Sequence, residues 1–464
     1  MLSLKALPLP RTLLGALLLS GVATSQAATL RVTTTQDSYD GLCDRHCSLR
    51  EAVAVANQSA EPSIIQLPSG TYVLNRNEPL DDKELPIDDD ENLLGDLDIR
   101  GEVVITGAGI GNSIIKGPTA DLFALRHRLF EVRPGASLEL KRLTLMNGRA
   151  AYNGGAVENH GRLVLHSVRA EGNITRNYQE ETAERGKGGA IANYGDLVVR
   201  ASQLEKNTAA TDSPAYGGAI YNLGRLWVRD STFKGNSAAD FWLSGSGSAI
   251  YNSGRAVIWR SAFLDNLSMD FAEGGIITNE GGELTLSNST LSGNSGIVLT
   301  NGHHDTPLRR SKATLINVTV ANNALHSWGT EALMNWGDLR IRNSLIVGSY
   351  FWDDDERLQQ PYNCRNFGTH FSYQAIGLLT NDTPSNCSAD LFVPDAQTLT
   401  QVLFPLTQLP DQTWVHALRP GSPAVDTGVG ACIKEDQRLV PRPQDGNGDG
   451  VAVCDLGAYE LGQP

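Results

Sequence analysis

Beyond residue 27 the sequence has no run approaching about 18 consecutive apolar residues, the length a membrane-crossing helix needs. Positive charge is also short: 38 Lys and Arg stand against 52 Asp and Glu, a formal net charge of −14. Nucleic acid is therefore excluded as the expected partner, because binding phosphates needs a positive field. No segment of the middle region carries a helix-length pattern repeating every 3.6 residues, which excludes a helical solenoid. Cysteine is scarce, with six residues: Cys43, Cys47, Cys364, Cys387, Cys432 and Cys454. An even number in an exported chain favours disulfides, and pairing of neighbours (Cys43–Cys47, Cys364–Cys387, Cys432–Cys454) is the simplest of the possible connectivities. A zinc site is the competing reading, although the spacings do not form two close pairs.

What is present begins with an export signal. Lys5 and Arg11 precede the apolar run Leu13 to Val22, and Ser25-Gln26-Ala27 supplies a small-residue cleavage site. The pattern predicts a signal peptide over residues 1–27 and a secreted or periplasmic protein. Removing that leader takes away two basic residues and no acid, so the mature charge falls to −16. The mature chain exceeds a typical compact domain, and repeat folds are a common escape from that size limit.

Internal repetition sets the expected fold. An apolar-x-apolar triplet recurs at Leu138/Leu140, Leu163/Leu165, Leu197/Val199, Leu226/Val228, Ala256/Ile258, Leu284/Leu286, Ala313/Leu315 and Leu339/Ile341, at intervals of 25 to 34 residues. Upstream of most triplets lies a small-residue strand ending in Asn, as in Gly188 to Asn193 and Gly217 to Asn222. Downstream lies a third short run ending at Asn173, Asn207, Asn236, Asn266, Asn294 and Asn322. Three short strands per repeat cannot bury a core alone, whereas stacked windings about 4.8 Å apart align like side chains in columns. The expected fold is all-β: a right-handed parallel β-helix of about ten coils, with the triplet's outer residues inward and its middle residue outward. Asparagine amides at the bends are expected to bond to the backbone and to one another.

Both ends of such a stack need covering. Ser48-Leu49-Arg50-Glu51 forms a capping box, and Leu49, Ala52, Val53 and Ala56 then recur at helical spacing. The expected organisation is an N-terminal cap with a short helix over 28–60, the β-helix over 61–350, and final coils with a disulfide-rich cap over 351–464.

Cys47-Ser48-Leu49-Arg50-Glu51-Ala52 resembles the CSLREA signature at the N-terminus of secreted bacterial β-helix proteins. Gly421-Ser422-Pro423-Ala424-Val425-Asp426-Thr427-Gly428, followed by Asp436-Gln437-Arg438 and Cys454-Asp455-Leu456-Gly457-Ala458-Tyr459-Glu460, is similar to the choice-of-anchor Q domain. Gly217-Gly218-Ala219-Ile220 and Phe233-Lys234-Gly235-Asn236 resemble repeats of polymorphic outer-membrane proteins. The resemblance implies an exported or surface-associated β-helix and carries no catalytic set.

Candidate sites follow from the columns. The residue after the triplet reads Lys141, His166, Arg200, Arg229, Trp259, Ser287, Ile316 and Arg342, and its middle residue includes Trp227. In an acidic protein this is a local basic and aromatic stripe that suits an acidic polysaccharide, with cations facing uronates and indoles stacking on sugar rings. The same charges read equally as an ion-pair ladder, since Arg162, Asp196 and Arg225 alternate in sign. Asp445, Asn447 and Asp449 sit at positions one, three and five of a calcium-type loop, and Asp455 stands one place short of the acid that would complete it. The acidic runs Asp88 to Glu91 (with Asp96 and Asp98) and Asp353 to Glu356 read as solvated loops, and His303-His304-Asp305 as an incidental loop cluster.

Two function classes remain. One is a non-catalytic, monomeric binding or adhesion protein that takes acidic polysaccharide. The other is a polysaccharide lyase or glycoside hydrolase. The second requires carboxylates of neighbouring coils to meet beside a Lys, Arg or His.

Overall fold

The computed structural model describes residues 28–79, 89–118, 128–177, 186–211, 215–238, 245–268, 274–303, 310–325, 331–353, 356–358, 363–367, 372–380, 387 and 389–462. The expected leader, the histidine loop from His304 onward and Asp88 lie outside them.

One coil shows how the sequence winds. Ile191–Asn193 is a short strand, Tyr194-Gly195 turns, and Asp196–Arg200 forms the triplet strand. Ala201 then adopts a left-handed φ of 48°, Gln203–Glu205 follows, and Thr208–Thr211 leads away toward the next coil. The next coil repeats this at Ile220–Asn222, Arg225–Arg229 and Thr232–Lys234. Neighbouring coils pair in parallel and in register: Leu197 lies beside Leu226 and then Ala256, and Val199 beside Val228 and then Ile258. These residues are almost fully buried, while Arg225, Trp227 and Arg229 on the same strand face out. Each buried Leu or Val contributes roughly 1.5–3 kcal/mol, so the columns are the core. The asparagine-ended strands form a ten-stranded parallel sheet running from Leu97–Ile99 to Cys364–Asn366, and the chain is a parallel β-helix.

Two amide ladders run along this stack. In one, Asn159, Asn193, Asn222, Asn252, Asn279, Asn301, Asn335 and Asn366 each donate from Nδ2 to Oδ1 of the next, at 2.6–2.8 Å. In the other, Asn173, Asn207, Asn236, Asn266, Asn294 and Asn323 do so at 3.0 Å. The second ladder ends on Asn323, not on the expected Asn322. Asn322 instead takes the left-handed position (φ 55°) that Lys206, Gly235, Asp265 and Gly293 occupy before their own ladder residues. Where strands enter the asparagine sheet, the second glycine of Gly188-Gly189 and Gly217-Gly218 is obligatory, because a Cβ there would overlap the carbonyl of the next coil.

The helix Leu49–Asn57 closes the N-terminal end, with both halves of the Ser48/Glu51 capping box formed. It buries Leu49, Ala52, Val53 and Ala56 against the first coils. Arg50, on the same helix, is fully buried: it pairs with Asp37 at 2.7 Å and donates to the carbonyls of Leu94, Gly95 and Asp96.

All six cysteines are paired, as Cys43–Cys47, Cys364–Cys387 and Cys432–Cys454. The C-terminal segment differs from a simple end plug, because much of it lies along the flank of the stack. Leu345 and Val347 belong to outward positions of Asp338–Val347 yet are fully buried, in a second apolar cluster with Val402, Leu403, Leu418, Ala424 and Leu456. Polar seams accompany it: Thr290 donates to Gln437, Ser292 contacts His416, and the Thr319 hydroxyl accepts from Ala458 N–H. Within the segment, Arg442 and Glu460 form a fully buried ion pair at 2.8 Å.

Candidate functional site

The triplet sheet places the expected stripe in one column. Lys141, His166, Arg200, Arg229 and Trp259 are successive register partners, and Val198, Trp227 and Val257 are partners in the middle column. Several of its cations are already satisfied. Glu139 pairs with Lys141 at 2.9 Å and with Arg200 at 3.0 Å. Arg229 pairs with Asp230 at 3.1 Å, and Arg225 pairs with Asp196, one link of the alternating ladder. Burial, and then the charge of Arg200, push the His166 imidazole below its ordinary range, so it is neutral at neutral pH. Trp227 is 38 % exposed, with the Arg225 guanidinium 5.6 Å from its ring centroid. Trp259 lies under Arg260, 4.3 Å from it.

The cations left over stand mostly outside the column after the triplet, with Arg342 as its last member. Arg162, Arg255, Arg340 and Arg342 make no ion pair among the described residues, and the first three are exposed. Arg340 and Arg342, two residues apart on one outward face, line a shallow groove of about 240 Å³ with Thr314, Ile316 and Gln374. The signal for them was in the sequence, in the columns before and within the triplet as well as after it.

The asparagine sheet carries a different arrangement. Its outward column reads Asp98, Glu131 and Glu158 on successive rungs. Arg128 reaches Glu131 at 2.7 Å, Glu158 at 2.9 Å and Asp96 at 3.4 Å. Arg133 reaches Asp98 and Glu131, each at 2.9 Å, and also contacts Asp90. His160 bonds Glu158 at 3.1 Å and stacks on Tyr194, ring centroids 4.8 Å apart. Carboxylates of neighbouring coils therefore do meet beside arginine and histidine. Burial works to raise Glu158, but the His160 hydrogen bond and the Arg128 charge outweigh it and hold the carboxyl below its usual range. The same bond raises His160 against the opposing effect of burial.

The calcium-type loop does not gather its four residues. The Asp445 carboxylate accepts from the amides of Gly448 and Gly450, Asn447 accepts from the Asp449 amide, and Asp449 accepts from Val451. Asp455 is fully buried, its oxygens bonded to the amides of Asp426 and Leu461. Asp426 takes the place beside the loop, accepting from Asn447 N–H at 2.8 Å. Among the described residues no group of three or more His, Cys, Asp or Glu is placed to hold a metal ion, and no helix is long and apolar enough to cross a membrane.

No family model matches this chain, and no curated protein does. Among solved structures it is similar to the crystal structure of pectate lyase Pel9A, with a TM-score of 0.49, 13% identity, and coverage of 94% of this chain and 97% of that one. It is also similar to the PL6 family alginate lyase AlyGC, with a TM-score of 0.31, 12% identity, and coverage of 84% and 55%. A third is the catalytic unit of a thermostable GH87 α-1,3-glucanase from Streptomyces thermodiastaticus strain HF3-3, with a TM-score of 0.28, 13% identity, and coverage of 82% and 72%. Identities this low say nothing of chemistry.

Proposed function

We propose that this chain is an exported, non-catalytic parallel β-helix of the CSLREA and choice-of-anchor Q type that binds an acidic polysaccharide along its triplet sheet. The supporting observation is the set of arginines without ion pairs, Arg162, Arg255, Arg340 and Arg342, on one face of a chain whose net charge is −14. Arg340 and Arg342 stand two residues apart on one strand and Arg255 lies beside Arg225 in register, and a polyanion laid along the face relieves their mutual repulsion. Trp227 offers an exposed apolar face for sugar rings. Three disulfides suit an oxidising, extracytoplasmic address.

The test is retention on immobilised polygalacturonate and alginate across a salt gradient. The natural chain is expected to elute late, and the variant carrying Arg255→Glu, Arg340→Glu and Arg342→Glu to elute with the void. Equal retention of the two would remove the proposal.

One observation favours the enzymatic reading, namely Glu131 and Glu158 on one guanidinium. A glycosidase, however, needs a carboxylic acid kept protonated, and Glu158 is held as an anion. Incubation with the same polymers, read as unsaturated products and new reducing ends, is expected to show no turnover. Turnover abolished by Glu158→Gln would instead establish the enzyme.

A further inference from the structure

The left-handed turn after each triplet strand leads to a cavity that belongs to neither face described above. Its floor is formed by turn residues of successive coils, Ser167, Ala201, Asp230 and Arg260, and its roof by the C-terminal segment around Trp414 and Leu439. Its volume is about 330 Å³, within the range of roughly 300–1,000 Å³ usual for small-ligand pockets.

The lining fixes the chemistry of what fits. Its cations are already neutralised: Arg260 pairs with Asp230 at 2.7 Å and lies 3.6 Å from Glu435, and Arg438 pairs with Asp436 at 2.6 Å. An anion gains nothing there. Asp411, a further carboxylate in the lining, accepts the amide of Thr413. A purely apolar ligand would strip water from the Thr232 and Thr413 hydroxyls and the Gln203 and Gln412 amides, a cost with no return. An uncharged ligand with many hydroxyls meets both demands, bonding to those groups while its ring packs on Trp414 or Leu439.

The walls are rigid as well. Gln437 is buried and fully engaged, accepting from the Thr290 hydroxyl and donating to the carbonyls of Ser261 and Trp414. Arg260 is held between Asp230 and the Trp259 ring. A preformed site of this kind loses little affinity to ordering.

We propose that this cavity is a saccharide site that takes one or two uncharged pyranose rings. It does not depend on the cations of the triplet sheet, so it goes beyond the polyanion reading and stands or falls separately.

The experiment is saturation-transfer NMR and tryptophan fluorescence on the full chain, with glucose, galactose, mannose, N-acetylglucosamine, cellobiose and maltose at up to roughly 10 mM, the weak end for small ligands. At least one sugar is expected to bind saturably. Trp414→Ala is expected to weaken it by at least about tenfold, or 1.4 kcal/mol. Because Trp414→Ala could also loosen the segment, the Gln203→Ala/Gln412→Ala pair tests the same wall with Trp414 in place, giving up only side-chain bonds to Arg169 and Gln408, and should weaken the same sugar. Arg340→Glu/Arg342→Glu should leave that affinity unchanged. No binding by any sugar of the panel, or binding indifferent to both sets of wall variants, would overturn the proposal.

Discussion

In the eight coils from Leu138 to Ile341 the turn after the triplet strand has one backbone shape and two kinds of residue, and the next coil places Gly377 there with φ 65°. Arg142, Ser167, Ala201, Asp230 and Arg260 fill it in the earlier coils, and Asn288, Asn317 and Asn343 in the later ones, all with φ between 45° and 55°. Asparagine tolerates this left-handed conformation better than most residues, but the backbone does not require it, since five coils do without. What separates the two groups is the C-terminal segment. Asn288 Nδ2 donates to the Glu435 carbonyl at 2.7 Å and Asn317 Nδ2 to the Asp455 carbonyl at 3.1 Å, while Asn343 Oδ1 accepts from Val429 N–H at 2.8 Å. The column turns to asparagine where a short amide reaches the segment's backbone; the earlier turns from Ser167 to Arg260 face the segment across the cavity, and of these Arg260 reaches it with its long side chain, 3.6 Å from Glu435.

The comparison can be broken from the segment's side first. Glu460→Leu leaves Arg442 buried with its only short ion pair gone, and should destabilise the segment by roughly 3–5 kcal/mol. Differential scanning calorimetry should then show a separate early transition for the segment, with the coils melting as before. A single unshifted transition would mean that the buried pair does not hold it.

Next comes pH. Burial raises the Asp455 carboxyl to about 7, well above an unfolded aspartate. The folded segment therefore keeps a proton that the unfolded chain releases near pH 4, and the stability this group contributes falls as pH rises from about 4 to 7 and is level beyond. The effect is on the order of 2–4 kcal/mol. Burial raises Glu460 in the same sense. His416, pushed down by burial, acts in the opposite sense on the acid side, so the informative quantity is the difference between the natural chain and Asp455→Asn. Chemical denaturation at pH 5 and pH 8 should show that difference changing with pH; a constant difference would remove the account.

Breaking a ladder is a smaller effect. Asn222→Ala leaves the Nδ2 of Asn193 without its Oδ1 partner and removes the donor to Asn252, a loss of about 1–3 kcal/mol in a fully buried row. Thermal melting reads it directly. The smallest effect sharpens the comparison itself. Asn317→Ala should cost about 1 kcal/mol through the lost bond to the segment, whereas Ala201→Asn, across the cavity from the segment, should gain a few tenths to 1 kcal/mol by easing the left-handed turn. If Ala201→Asn gained as much as Asn317→Ala lost, the turn's backbone and not its docking partner would explain the asparagines.

Much of this architecture was legible because it depends on local alternation. The triplets had to point two apolar side chains inward, and the helix announced itself through Ser48 and Glu51. In the asparagine columns the slip, Asn322 for Asn323, came from adjacent asparagines doing different work, one turning the backbone and one extending the ladder. What stayed hidden was set by contacts between distant parts of the chain. Asn288 meets Glu435 across 147 residues, and no spacing rule reaches that far. Within the capping box Arg50 carried no signal of its own, although its guanidinium is fully buried on carbonyls 44 to 46 residues away. The acidic column Asp98, Glu131 and Glu158 was visible only to a reader who had aligned the irregular early coils, because those residues sit in the middle of strands that lack the triplet's regularity. The stripe's residues share one register column, but which of its cations lack partners depended on Glu139 and Asp230, and hence on side-chain reach.

Every side-chain link in the amide rows points one way along the axis, donor toward the C-terminal end, so each row has a head with one acceptor to spare. The row headed by Asn173 begins under a stopper, since its Oδ1 receives the Gly148 N–H at 2.9 Å. The row headed by Asn159 has none: its Oδ1 is buried without a partner among the described residues, and the preceding rung offers Val132. Adding an asparagine there would only shift the orphan one rung upstream. Such a chain carries one fixed defect whatever its length, and the more windings share it, the smaller the burden on each; polarity of this kind rewards long stacks and penalises short ones.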